Sequence, residues 1–162
     1  MITPVRLHDR PDTQTIWRKE VDQLAPQDVA LIRNSTVAHC RDIRLAQNRP
    51  ADDHALDDVA LVITELVTNV LKHATTPGAP TPMGILLALH RDDVLVVVSD
   101  PSTQGPLLDT TVPGLEVGGL GLGLVRTITG DRWGWHPLPF GKAVWAQCPL
   151  TTQPTSPNRT EK

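Results

Sequence analysis

The sequence predicts an α+β fold: a two-layer α/β sandwich with helices on one face of a mixed, largely antiparallel sheet. Two observations carry that expectation. The elements run helix–helix–strand–strand–loop–helix–strand–strand, which is not the βαβα alternation of a parallel sheet. The strands also come in pairs joined by short polar or glycine-containing turns, as in hairpins.

Taken in order, residues 1–13 are polar, contain two prolines and are expected to be a flexible N-terminus. A first helix is expected from near Pro26 to about Asn48. Val29, Ile32, Cys40 and Ile43 recur at helical spacing, and "NRPADDH" breaks the pattern at Pro50. A second helix is expected from about Asp53 to Ala74, ended by "TTPGAPTP". "MGILLALH" and "VLVVVSD" flank "RDD" and read as a hairpin. "PSTQGPLLDTTVPGLEVGG" is a long irregular segment, of a kind that is often functional. "LGLGLVRTIT" is helical in character. "DRWGWHP" and "KAVWAQCP", joined by "LPFG", close a single domain over residues 14–150. Residues 151–162 are expected to be a disordered tail, because they lack apolar periodicity.

The composition of the 162 residues narrows the function. Charged residues make up 20% and hydrophobic residues 40%, as in soluble globular domains. A net charge of −3, with one Phe and no Tyr, argues against a basic nucleic-acid footprint or a base-stacking platform. Cys40 and Cys148 lack C-x-x-C spacing and read as buried thiols of a reducing compartment. Neither a signal-peptide h-region nor a membrane-spanning apolar run is present, so a cytoplasmic protein is expected.

The second helix has an unusually selective polar side. At about 100° per residue, Leu56, Val59, Ala60, Ile63, Leu66, Val67 and Val70 form one apolar face. Glu65, Asn69 and Lys72 share an arc opposite, joined by Asp58, with His73 just beyond Asn69. Leu61 and Val62 border this stripe. One reading is a solvated face carrying a Glu–Asn–Lys hydrogen-bond ladder. The other is a site in which an acid, an amide oxygen and a cation meet one charged ligand. An Asn carbonyl oxygen suits Mg²⁺, which takes few protein ligands and completes its shell with phosphates and water.

Two further features point toward a phosphate ligand. "GGLGLGLV" leads alternating glycines into a helix, whose first N–H groups and positive dipole end attract anions. It matches neither the dinucleotide fingerprint nor the P-loop. Asp100 ends an apolar strand, where a carboxylate can accept a hydrogen bond from an exocyclic amine.

Together these segments resemble the GHKL ATPase superfamily, whose shared fold is the Bergerat (HATPase) fold. "ELVTNVLKHA" looks like its N box and "VVVSD" like the strand entering its G1 box. "GGLGLGLV" looks like its G2 box, with Gly119, Gly121, Leu122 and Val125 matching G-x-G-L-x-x-V. The chain is most similar to the small bacterial anti-sigma-factor serine kinases of the RsbW and SpoIIAB type, in particular their actinobacterial members. Two departures stand out. Asp100 is followed by "PSTQGP" rather than x-G-x-G, and Lys142-Ala143 replaces a small hydroxyl after Gly141.

The resemblance implies ATP and Mg²⁺ as cofactors. Glu65 would be the catalytic general base and Asn69 would hold Mg²⁺. Lys72 and His73 would lie near the phosphates or support the loop. Asp100 would read the adenine amino group, and the run Gly119, Leu120, Gly121, Leu122 and Gly123 would wrap the phosphates. Residues 101–118 would form the ATP lid. It further implies serine/threonine kinase activity toward an anti-anti-sigma (STAS) partner, a sigma factor as second partner, and a homodimer. One alternative is a catalytically silent module of the same fold that sequesters a partner. Another is a histidine-kinase-like catalytic domain, disfavoured because no dimerisation helix with a phospho-accepting His is present.

Overall fold

The computed structural model describes residues 13–106 and 120–151. The expectations for residues 1–12, 107–119 and 152–162 lie outside these. The elements are β1 (Thr13–Val21), α1 (Asp28–Ala46), α2 (Asp53–His73), β2 (Met83–His90), β3 (Asp93–Asp100), α3 (Leu120–Thr129), β4 (Trp133–Leu138) and β5 (Gly141–Pro149). The sheet order is β1-β2-β3-β5-β4, and all four pairings are antiparallel. The three helices pack together on one face, giving the two-layer α+β arrangement that the sequence predicts.

The helices start and stop for local reasons. Asp52 caps α2 by accepting the His54 N–H at 2.8 Å, as expected of an N-cap carboxylate. Asp28, the first residue of α1, accepts the Ala25 N–H at 2.8 Å. Asn48, at φ 54°, takes the left-handed conformation that ends α1.

β1 is the element that the sequence does not announce. "TQTIWRKEV" shows no clean alternation because the register slips between Thr15 and Trp17, so that Ile16 and Trp17 both pack against the core. Arg18, Lys19 and Glu20 leave this edge strand charged, which discourages pairing with another chain.

The core lies between α2 and the sheet. Val59, Val62, Ile63, Leu66, Val67 and Val70 of α2 belong to one buried cluster with Ile85, Leu87, Val94, Val96, Val98, Val144 and Ala146 of the strands. Val62 is therefore a core residue, whereas Leu61 is exposed. Among the described residues, the helix-free face of the sheet buries Ala88, Leu95 and Ala143, beside half-buried Leu86, Val97 and Trp145. A groove of about 650 Å³ runs along it, lined in part by Arg18, His136 and Phe140. Among the described residues no helix is long and apolar enough to cross a membrane.

One end of the sandwich is tied by charge. Arg44 is buried, and its Nη2 donates to Asp92 Oδ1 at 3.0 Å in the β2–β3 turn. Arg49 reaches the same oxygen at 2.8 Å. The Leu150 N–H donates to the Asp92 carbonyl, and the Asp52 N–H to the Leu150 carbonyl.

Cys40 and Cys148 are fully buried and free of disulfides. Burial pushes each thiol up from 9.0 to about 12, and for Cys148 the neighbouring Cys40 adds to the shift. Both should therefore resist a maleimide at pH 8 in the folded protein and react once it is unfolded. The shift also fixes the sign of a pH effect. Above the unfolded value of 9.0 the unfolded thiols lose protons that the folded ones keep. Unfolding free energy should then fall by roughly 1.4 kcal/mol per thiol per pH unit until the folded thiols ionise. Denaturant titrations of the wild type and of Cys40→Ala/Cys148→Ala across this range check the slope, which the double variant should lack.

Candidate functional site

α2 seats four of the expected residues. Glu65 and Asn69 lie one turn apart and are half-buried, while Lys72 and His73 are exposed in the last turn. Cations there complement the negative end of the helix dipole. The Glu–Asn–Lys ladder of the solvated-face reading is not formed. Among the described residues these four side chains make no hydrogen bond or ion pair. Asp58, in the same stripe, has its carboxyl pushed up, first by burial and then by Asp57, with His54 opposing.

Glu65 faces α3. Gly121, the second residue of α3, lies so close that a Cβ there would overlap Glu65 Oε2. The missing side chain is what lets the carboxylate rest against the first turn of this helix, beside its positive end. Leu122 and Val125 are buried and anchor α3 in the core. Gly123 is exposed, with nothing within 4 Å of where a Cβ would stand. Glu65, Asn69 and the opening of α3 are thus brought to one place. Gly119 and most of the expected lid lie outside the described residues, as does the Leu120 side chain.

Asp100 ends β3 on the helix-facing side of the sheet and has a partner that the sequence reading does not assign. Lys142 Nζ donates to Asp100 Oδ1 at 2.9 Å, and the two side chains are 3% and 2% exposed. The Ser102 N–H donates to the same oxygen at 2.8 Å. Register produces this pair: antiparallel β3 and β5 set Asp100 opposite Lys142. Gly141 permits this close pairing. At φ 138° its backbone lies against the Asp100 carbonyl, where any Cβ would collide. Just downstream, Gly105 packs beneath the Trp135 ring, with a Cβ position only 2.5 Å from Cζ2. A signal for Lys142 was present in the sequence. A lysine second from the start of an apolar strand needs an acid, and the neighbouring strand ends in one.

A family model described as the histidine kinase-like ATPase domain matches residues 23–145. The chain belongs to this family. One solved structure similar to this histidine kinase-like ATPase domain is the histidine kinase domain from the Erythrobacter litoralis EL346 blue-light activated histidine kinase. It is 22% identical, with a TM-score of 0.45, and the match covers 59% of this chain. The chain spans 45% of that structure's length. No curated protein matches.

Asn69 and Asp100 would suit a Mg²⁺-bound nucleotide differently. At the α2–α3 end, Asn69 offers an unengaged amide oxygen. Among the described residues no three His, Cys, Asp or Glu side chains gather into a metal cage. A Mg²⁺ held here by Asn69 would take its other oxygens from phosphates and water, as this ion commonly does. At the β3–β5 end, the acid of this histidine kinase-like ATPase domain is already neutralised from within.

The contact between Glu65 and Gly121 can be checked by a double-mutant cycle. Alanine in a helix favours stability by up to about 1 kcal/mol over glycine. In a Glu65→Ala background, Gly121→Ala should gain that stability. With Glu65 present the gain should shrink by about 0.5 kcal/mol or more, because the carboxylate must move away. Urea unfolding of the four proteins measures the coupling, and a coupling of zero contradicts the packing.

Proposed function

We propose that this chain is an ATP-binding regulatory protein of the anti-sigma kinase type. In this reading it transfers a phosphoryl group from Mg-ATP to a serine or threonine of an anti-anti-sigma (STAS) partner. The same reading gives it a sigma factor as second partner, a homodimeric state and a cytoplasmic location. The observation that carries the kinase step is Glu65: a half-buried carboxylate with no hydrogen bond among the described residues, resting on the Gly121 backbone at the phosphate-attracting end of α3.

Each residue then has a separate task. Asn69 holds Mg²⁺, which neutralises charge on the transferring group. The first turn of α3 receives phosphate oxygens through its backbone N–H groups. Glu65 accepts the proton of the attacking hydroxyl. Lys72 and His73 add positive charge beside the phosphates. Phosphoryl transfer depends mainly on positioning and charge neutralisation, and this set supplies both.

The Asp100–Lys142 pair favours a second reading, a silent module of the same fold that sequesters its partner with weak or no nucleotide binding. Calorimetry with Mg-ATP separates the two. Under the kinase reading the wild type binds Mg-ATP and Asn69→Ala loses the Mg²⁺-dependent part of the affinity. Glu65→Gln keeps nucleotide affinity but lowers phosphorylation of a STAS serine by about 10²–10⁴-fold. Wild-type phosphorylation rates in Glu65→Gln would remove the base assignment, and no heat of binding in the wild type would favour the silent module.

A further inference from the structure

One face of the sheet carries no helix, and we infer that it is the contact surface between two copies of this chain. The copies pack sheet against sheet about a two-fold axis that runs along β3. This rests on the homodimer of the preceding reading and gives that dimer its face, independently of nucleotide binding and of the kinase step.

An antiparallel sheet with one wet face normally sets polar residues on that side. Here the outward positions of the three central strands are apolar. They hold Leu86 and Ala88 on β2, Leu95 and Val97 on β3, and Ala143 and Trp145 on β5. Polar side chains stand at the edges, with Arg18 and Glu20 on β1 and His136 on β4. An apolar centre with a polar rim is the layout of a protein–protein interface. Phe140, 92% exposed in the β4–β5 turn, flanks the same face. Strands about 4.8 Å apart and about 3.3 Å per residue give this five-stranded face roughly 600 Å² in plan. Side-chain relief brings it to the scale of the ~800 Å² per partner in a standard interface.

The register selects a second copy as the occupant. One row across the sheet reads Glu20, Gly84, Ser99, Ala143, His136, and the next Arg18, Leu86, Val97, Trp145, Gly134. Turned over about β3, each row meets itself reversed. Glu20 then faces His136 of the other copy, whose Nδ1 has no hydrogen bond among the described residues. Arg18 faces Gly134, across which the Trp145 indole lies, its Cζ2 only 2.9 Å from where a Cβ would stand. A guanidinium over that indole is a cation–π contact. Symmetry repeats each contact on the other side of the axis. At the far end Asp93 meets its own copy, but each carboxylate is already paired with Arg132 at 2.6 Å.

The test is sedimentation and light scattering of the full chain without nucleotide, up to about 100 μM. The wild type is expected to be a dimer with a dissociation constant of about 10 μM or below. Val97→Glu sets two carboxylates against each other on the axis and should give a monomer. Glu20→Lys should weaken the dimer about fivefold, since the contact occurs twice, and adding His136→Glu should restore it to within about twofold. A dimer unmoved by a folded Val97→Glu would overturn the face and leave the rest of the preceding reading standing. So would a Glu20→Lys dimer that His136→Glu does not restore. If Val97→Glu does not fold, the exchange at the two edge strands decides. A wild type that stays monomeric at about 100 μM overturns both the face and the homodimer, while its Mg-ATP calorimetry still decides the nucleotide reading separately.

Discussion

The seating of α2 on the sheet is the constraint on which the site depends. Val59, Ile63, Leu66, Val67 and Val70 are buried against β3 and β5, and each such side chain contributes about 1.5–3 kcal/mol when taken from water. That apolar stripe fixes the rotation of the helix about its axis. One residue of rotation is about 100° and would carry the polar stripe off α3 altogether. Glu65 therefore meets Gly121 because the opposite side of the same helix has nowhere else to go. Leu122 and Val125 do the same for α3, holding Gly121 toward α2.

Most of the architecture was legible because it is written in apolar periodicity. α2, the β2–β3 hairpin and α3 fall within a residue or so of where Leu and Val spacing puts them. β1 was not legible, since a bulge at Ile16 breaks the alternation and its charged residues resemble a loop. The candidate site was legible in its parts and less so in its couplings. The helical wheel groups Glu65 with Asn69, yet nothing local says that Glu65 rests on Gly121, a contact between elements far apart in the chain. Lys142 shows the same limit: its partner lies 42 residues away and is set by strand register.

Family membership and site chemistry separate in this molecule. The two-layer α+β arrangement agrees with membership of the histidine kinase-like ATPase domain family. At the helix-facing end of β3 and β5, Asp100 is engaged in an internal ion pair with Lys142. A buried pair of this kind is weak evidence for added stability, because desolvation of both charges offsets their attraction. Losing either partner alone is costly, by about 3–5 kcal/mol, so the pair is retained or replaced as a unit.

The charged tie at Asp92 has a consequence for how the protein can change. Arg44, Arg49, Leu150 and Asp52 converge at the start of β3, whereas Asp100 closes its far end. Eight residues of strand at about 3.3 Å each separate them by roughly 26 Å. Effects at sites that distant, with no shared partner, add with little interaction. Stability gained at the Asp92 end is thus independent of the chemistry at the other. The protein can accumulate strengthening substitutions at one pole and use the margin to explore new ligands at the opposite one.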